Sequence, residues 1–259
     1  MFDQIKADLM RMRKSKLTYA ILIGQLLISF LTARTQILEN PDLMDPYPGD
    51  IVCLNILTSL AVTIGFMSAF ISLKLSILEK RDGLLRNKVV VGNGKCGIFL
   101  SKVIVNYIIS VILLVIHTVT GIIMCSVSFN GLLPSAGTIA KYMGIYLMWL
   151  FFFSILMAIL ALDLSSEIIS IILSFFVVTV LPSLPGTLEQ MIEIEKNKNS
   201  FKLLVLNFIR SIVPYTYMSE GDTYEMMNKL FADGILPAVA MSMIFLILGC
   251  LAFRRKEFN

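Results

Sequence analysis

Six stretches of the chain run for about twenty residues with almost no charged side chain, and this feature constrains the fold more than any single residue. A helix rises about 1.5 Å per residue, so about 20 apolar residues cross the hydrocarbon core of a bilayer, which is about 30 Å thick. The pattern therefore predicts an all-α integral membrane protein with six transmembrane helices. The predicted spans are 17–33, 51–78, 97–126, 139–162, 167–184 and 234–253.

The composition agrees with this fold class. Hydrophobic residues make up 57% of the chain and charged residues 15%, whereas an average soluble domain contains about 25% charged residues. The first span lacks the small-residue cleavage site of a signal peptide, so we expect it to be retained. Four cysteines are scattered without CxxC spacing, and His117 is the only histidine. These residues predict neither a disulfide framework nor a metal site.

The charges between the spans predict the orientation. Basic residues concentrate before span one, in the loop 79–95 and in the tail, whereas the first outer loop carries Glu39, Asp42, Asp45 and Asp50. Basic residues in short loops stay on the cytoplasmic side. We therefore expect a multi-pass protein of the cell membrane with both termini in the cytoplasm. The net charge of +4 follows from this topology, and anionic lipid headgroups rather than nucleic acid would meet the basic residues.

The N-terminal segment 1–16 has the periodicity of an amphipathic helix. Its apolar residues follow one another at steps of three and four, and its basic residues lie elsewhere around the helix. A helix of this kind lies in the plane of the membrane interface. We predict an interfacial elbow helix whose apolar face comprises Phe2, Ile5, Leu9 and Met12.

The loop 79–95, between spans two and three, carries the strongest functional signal. It is charged at its start, yet Leu84, Leu85 and Val89 are placed to meet an apolar groove, and glycines follow. This pattern predicts a short helix at the cytoplasmic membrane surface that inserts into a partner protein.

The end of this loop, Gly94-Lys95-Cys96, is superficially like the phosphate-binding loop GxxxxGK[ST]. The first glycine of that motif would fall at Val89, and Cys96 stands where the motif has a hydroxyl for Mg²⁺. We therefore exclude a nucleotide site here, and no soluble stretch is long enough for a domain of ~100 residues. The energy for any transport must come from another chain or from an ion gradient.

The outer segment 185–233 alternates between apolar and polar stretches. Residues 201–213 and 224–232 are too short to span a membrane, and Pro214 separates them. Irregular backbone at membrane depth is tolerated only against protein or water. We predict two short outer helices before span six, with the break at an outer vestibule.

An elbow helix, six spans, a charged loop that begins with glutamate, two short outer helices and a basic tail together resemble the permease subunit of type-two ABC transporters. The resemblance is architectural and covers nearly the whole chain. It implies a permease that pairs with a second copy, either identical or a close paralogue, and with two separate ATP-binding subunits. ATP and Mg²⁺ would lie on those subunits, and this chain would bind no cofactor and catalyse no reaction.

The resemblance also implies roles for particular residues. The elbow helix and the loop after span two would contact the ATPase, and the coupling residues would be Glu79, Arg81, Gly83, Leu84 and Leu85. The family often has a proline late in this loop, where this chain has Gly92-Asn93-Gly94. The limits of the coupling helix are therefore open.

The translocation path implied by the resemblance lies between the two permease copies, lined by spans one, two and five. The polar candidates are Gln25, Asn55, Thr58, Thr63, Ser174 and Thr179. A hydrogen bond between helices explains each of these side chains equally well.

Two other functions stay open. An ion-coupled transporter or channel acting alone usually has ionisable groups near the membrane midplane. An intramembrane enzyme usually needs a metal, paired acids with histidine, or an activated nucleophile. Apolar spans with 15 Met and 17 Phe favour a hydrophobic or amphipathic substrate, such as a peptide, drug or lipid. By analogy, a small permease suits bacterial antimicrobial-peptide export or self-immunity.

Overall fold

The computed structural model describes most of the chain. The described residues are 2–39, 53, 56–57, 61–92, 94–129, 134–163, 169, 172, 176, 187, 190–194, 201–202, 206 and 224–255. Within them the chain is helical apart from the connecting turns, which confirms the all-α class. The helices are α1 (Phe2–Lys14), α2 (Lys16–Glu39), α3 (Ala61–Arg81), α4 (Leu84–Val90), α5 (Lys95–Ser128), α6 (Ala136–Asp163) and α7 (Tyr224–Arg255).

Within the described residues, three segments are long and apolar enough to cross a membrane. They are Lys16–Leu38, Lys95–Ser128 and Ala136–Leu162, with mean hydropathies of 1.5, 2.5 and 2.5 over their most apolar stretches. They coincide with predicted spans one, three and four. The structure thus supports transmembrane character, whereas the count of six spans stays a prediction.

The other predicted spans meet the structure in different ways. Helix α3 covers the last two thirds of span two, and α7 contains span six. Span five lies largely outside the described residues. Its described members Ile169, Ile172 and Phe176 are helical and exposed.

The last helix differs from the predicted one. We expected span six to begin at Gly234 after a separate short helix over 224–232, but α7 is continuous from Tyr224 to Arg255. Charges such as Glu225 mark where an apolar stretch ends, whereas a helical backbone continues until its hydrogen-bond ladder is interrupted. The second predicted outer helix is therefore the first part of α7. Most of the first one, 201–213, lies outside the described residues.

Helix α5 organises the packing, because α1, α2, α3, α6 and α7 all contact it. Its buried side chains extend from Ile98 to Cys125, near its two ends. With 34 residues, it is about 50 Å long, whereas the hydrocarbon core is about 30 Å thick. Helix α5 therefore reaches beyond the apolar layer that it is predicted to cross.

An apolar cluster joins four helices at one end of the bundle. Leu85 of α4 packs there with Phe99 of α5, Leu162 of α6 and Phe253 of α7. The rings of Phe99 and Phe253 stack with their centroids 5.5 Å apart. The start of α5 and the ends of α6 and α7 thus lie together beside α4. We call this region the α4 end of the bundle.

Candidate functional site

Four helices bring charged side chains together at the α4 end. Helix α1 contributes Asp8 and Arg11, α3 contributes Glu79, α4 contributes Lys88, and α5 contributes Lys102. We call these five residues the ion cluster. It joins the predicted elbow helix and the predicted coupling loop to two helices of the bundle.

Each base of the ion cluster contacts both acids. The Nζ atom of Lys102 lies 3.1 Å from Asp8 Oδ2 and 2.8 Å from Glu79 Oε2. The Nζ atom of Lys88 lies 3.1 Å from Asp8 Oδ1 and 3.2 Å from Glu79 Oε2. Arg11 Nη1 lies 2.5 Å from Glu79 Oε1 and 3.6 Å from Asp8 Oδ1. The contacts therefore form a network rather than separate pairs.

The inner members of this network are almost completely buried. Asp8, Glu79 and Lys102 are 3%, 3% and 4% exposed, whereas the side chains of Lys88 and Arg11 are 12% and 40% exposed. Removing charges from water is costly unless opposite charges and hydrogen bonds compensate. The network supplies that compensation, and its three bases and two acids leave one net positive charge.

The ionisation of Asp8 follows from this environment. Burial alone would raise the pKa of the carboxyl group, but the positive charges of Lys102 and Lys88 outweigh it and hold the pKa below its ordinary value of 3.8. Asp8 is therefore ionised at neutral pH and attracts both lysines.

Helix α1 turns its polar side toward the bundle. Gln4 and Asp8 are four residues apart, so they share one face, and they are the buried residues of this helix. The predicted apolar stripe lies beside that face and consists of Phe2, Ile5, Leu9 and Met12. Phe2 is 82% exposed, and the other three residues are partly buried against the core. Sequence reasoning missed Asp8, because periodicity separates polar from apolar residues without showing which polar residue is packed.

The predicted coupling residues have different surroundings. Glu79 is buried in the ion cluster, Arg81 is exposed, and Leu84 is half-buried. Gly83 has φ 68°, a left-handed conformation that suits glycine at the sharp turn from α3 to α4. We expected Leu85 to enter a groove of a partner, but it is 2% exposed and packs within this chain. The reason is that α4 lies against the start of α5 and buries its own apolar side.

Other residues of the loop are exposed on the side that faces away from the bundle, where a partner could contact them. Val90 and Val91 are 77% and 81% exposed, and Arg86 is also exposed. The sequence showed that this loop contains apolar residues, but it did not show which side of the helix faces the bundle. Sequence reasoning therefore selected the leucines and missed these valines.

The proposed path residues are only partly within the described structure. Gln25 is fully buried and donates from Nε2 to Ser29 Oγ at 3.2 Å, so it faces the interior of this chain rather than a surface open to a second copy. Thr63 lies in α3. Asn55, Thr58, Ser174 and Thr179 lie outside the described residues.

His117 is connected to Gln25 through Ser29, because both side chains bond to the Ser29 hydroxyl. Its Nδ1 atom lies 3.1 Å from Ser29 Oγ, and its Nε2 atom lies 3.2 Å from the Leu57 carbonyl oxygen. A carbonyl only accepts, so Nε2 carries the proton and Nδ1 accepts from the Ser29 hydroxyl. Tyr142 donates to the same carbonyl. These bonds satisfy both nitrogens of a buried histidine, which links α5 to α2 through Ser29 and shares the Leu57 carbonyl with Tyr142 of α6.

The structure brings the four cysteines into two pairs. Cys53 lies beside Cys125, and Cys96 lies beside Cys250, and all four are free thiols. The members of each pair are far apart in sequence, which is why spacing alone gave no sign of them.

The sequence matches no family model, and no curated protein matches it. The resemblance to type-two ABC permeases therefore stays a prediction based on architecture and charge pattern. Among the described residues, no group of three or more histidine, cysteine, aspartate and glutamate side chains is placed to hold a metal ion.

Proposed function

We propose that this chain is the permease subunit of an ATP-driven type-two ABC exporter. The observation that carries the proposal is the ion cluster, which ties α4 to α1, α3 and α5 through buried charges. An ATPase in the cytoplasm would push on α4, and the cluster would pass this displacement into the membrane. The energy would thus enter through a helix that is fixed to the bundle.

The route of the displacement begins at Lys88. This residue is the α4 member of the cluster, and it contacts acids on α1 and α3. Lys102 contacts the same two acids from α5. Breaking a buried pair leaves an uncompensated charge, which is strongly unfavourable. A movement of α4 therefore carries the neighbouring helices with it, and α5 distributes it to the helices that it contacts.

The partner surfaces in this proposal follow from exposure. Arg86, Val90 and Val91 face away from the bundle and would contact an ATPase groove with apolar walls and an acidic residue. The proposal includes six spans, two permease copies and both termini in the cytoplasm. Support for termini on one side comes from α1 and Phe253, which both lie at the α4 end. The substrate would be hydrophobic or amphipathic.

Buried ionisable groups also favour a second candidate, an ion-coupled transporter that acts alone. Charged residues within membrane helices often line ion pathways, and Glu79 and Lys102 are almost completely buried. Reconstituting the chain alone in vesicles would distinguish the two functions. Transport that follows a proton or sodium gradient without ATPase would favour this second candidate.

The test of the first proposal uses two equally simple variants. Val91→Asp places a charge on the exposed side beside α4, where Val91 is 81% exposed. Val127→Asp is the matched control, because Val127 is 77% exposed at the opposite end of α5. Both variants should insert into the membrane at normal levels. Leu85→Asp is unsuitable, because it would disrupt the apolar cluster of this chain.

The measurement is recovery of an ATPase subunit with the affinity-tagged permease from membranes, followed by ATP-dependent transport. We expect Val91→Asp to reduce both at least tenfold, because an apolar contact is replaced by a charge that must be desolvated. Val127→Asp should leave both unchanged. Recovery of no ATPase with the wild-type chain, or normal recovery with Val91→Asp, would overturn the proposal.

A further inference from the structure

A small cavity adjoins the ion cluster where α1, α3 and α5 meet. Its lining includes Asp8 of α1, Ser72 and Glu79 of α3, and Lys102 and Asn106 of α5. It leaves about 10 Å³ for the centre of a water molecule. This space is close to the minimum that one buried water requires.

Two polar groups of residues that line the cavity have no hydrogen-bond partner among the residues that the structure describes. They are the hydroxyl of Ser72 and the side-chain amide nitrogen of Asn106, and these residues are only 2% and 4% exposed. Buried polar groups are nearly always hydrogen-bonded to protein or to ordered water. Leaving both unsatisfied would cost stability, so their shared position beside a cavity points to a ligand.

We propose that this cavity holds one ordered water molecule that bridges Ser72 and Asn106 to the ion cluster. The water accepts a hydrogen bond from the amide of Asn106, exchanges one with the hydroxyl of Ser72, and donates one to Asp8 Oδ2. That oxygen is buried, and within the described part of the chain it has the ionic contact with Lys102 Nζ at 3.1 Å but no further hydrogen bond. Three partners are typical of a buried water.

The charges and the small size of the cavity favour a neutral molecule over an ion. Lys102 Nζ already occupies the position between the two carboxylates, 3.1 Å from Asp8 and 2.8 Å from Glu79. With three bases and two acids the cluster is already positive, so it would repel a second cation. An anion would lie beside both carboxylates. A neutral molecule that both donates and accepts hydrogen bonds fits this environment.

This inference does not depend on the transport function. The water joins α1, α3 and α5 through hydrogen bonds that their side chains do not make directly. It also solvates a carboxylate that is otherwise shielded from solvent. The junction of these helices is therefore hydrated and not closed by packing alone, and Ser72 and Asn106 are the positioning residues of the water.

A double-mutant cycle tests the proposal with Ser72→Ala and Asn106→Leu. Ser68→Ala is the matched control on the same helix, because the Ser68 hydroxyl is buried but donates to the Gly65 carbonyl at 2.9 Å. The readout is the thermal unfolding midpoint, Tm, of the protein in lipid nanodiscs. Ser72 and Asn106 make no direct hydrogen bond, so energetic coupling between them requires something that bridges them.

We expect Ser72→Ala to lower Tm by about 2–4 °C, and the double variant with Asn106→Leu to lower it by clearly less than the sum of the single effects. Ser68→Ala combined with Asn106→Leu should be additive. If Ser72→Ala raises Tm, the hydroxyl is a dry unsatisfied group and the proposal is wrong. Additive effects of Ser72→Ala and Asn106→Leu would overturn it as well.

A direct measurement keeps the proposal testable if the Asn106→Leu variant does not fold. An electron cryomicroscopy map of the wild-type protein at a resolution that shows ordered waters should contain density between Ser72 Oγ and Asn106 Nδ2. The Ser72→Ala protein should lose this density or show it weakened. A well-ordered wild-type map with an empty cavity would refute the water site.

Discussion

Replacing Lys102 by methionine tests whether the ion cluster stabilises the bundle. Methionine has a similar length and no charge, so the substitution removes contacts of 2.8 Å to Glu79 and 3.1 Å to Asp8 with little change in volume. Both acids remain buried. They keep Lys88 and Arg11, but the side chain of Arg11 is 40% exposed and is screened by water.

The magnitude follows from burial. Removing one member of a buried ion pair costs about 3–5 kcal/mol, because the remaining charge is uncompensated. Since two bases remain, we expect the lower end, about 3 kcal/mol. A change of 1 kcal/mol shifts Tm by about 2–4 °C in a chain of this size, so Tm should fall by about 6–12 °C. The control Lys6→Met removes an exposed charge and should change stability by no more than about 0.5 kcal/mol.

The assay is thermal unfolding in lipid nanodiscs at neutral pH. Trp149 is the only tryptophan and is 2% exposed, so its fluorescence reports loss of the core. Adding Asp8→Asn to Lys102→Met should recover part of the loss, because one acid is removed with its base. The reasoning would be refuted if Lys102→Met lowered Tm no more than Lys6→Met. It would also be refuted if the Tm decreases of Asp8→Asn and Lys102→Met added fully in the double variant.

Two further predictions concern pH and helix contact. Because the pKa of Asp8 is lower in the folded state than its ordinary 3.8, its stabilisation is present above that pH and is lost as pH falls through the folded pKa. The Tm difference between the wild type and Asp8→Asn should therefore shrink below about pH 4, and a constant difference would contradict this assignment. Gly249→Ala places a Cβ atom 2.4 Å from the Phe99 ring. This overpacking should lower the free energy of unfolding by about 1–3 kcal/mol. The control Gly24→Ala meets nothing within 4 Å and should be neutral or stabilising.

Apolar length could be predicted from the sequence, because it depends on composition over a window. Predicted spans one, three and four coincide with α2, α5 and α6 for this reason. Helix ends were less predictable, since charge marks the edge of an apolar region rather than the end of a backbone helix. The start of α7 at Tyr224 is the clearest case.

The candidate site was predictable only in part. Periodicity identified α1 as amphipathic, and the charged loop identified Glu79. The association of α1 with Glu79 depends on Asp8 and Lys102. These two residues are far apart in sequence, and no local pattern marks them. Leu85 shows the same difficulty for apolar residues, since its type predicts burial but not whether this chain or a partner covers it. Such long-range partners depend on tertiary packing.

The use of charges at the α4 end has a physical consequence for a helix as short as α4. Apolar residues of similar volume would often stabilise such a site as well as a buried ion network does. Helix α4 has seven residues and buries one of them, Leu85, so apolar packing fixes its distance from α5 more than its orientation. The contacts of Lys88 with acids on α1 and α3 are directional and set that orientation. A helix fixed in this way keeps its outward residues in one position, which is what a partner that pushes on it would require.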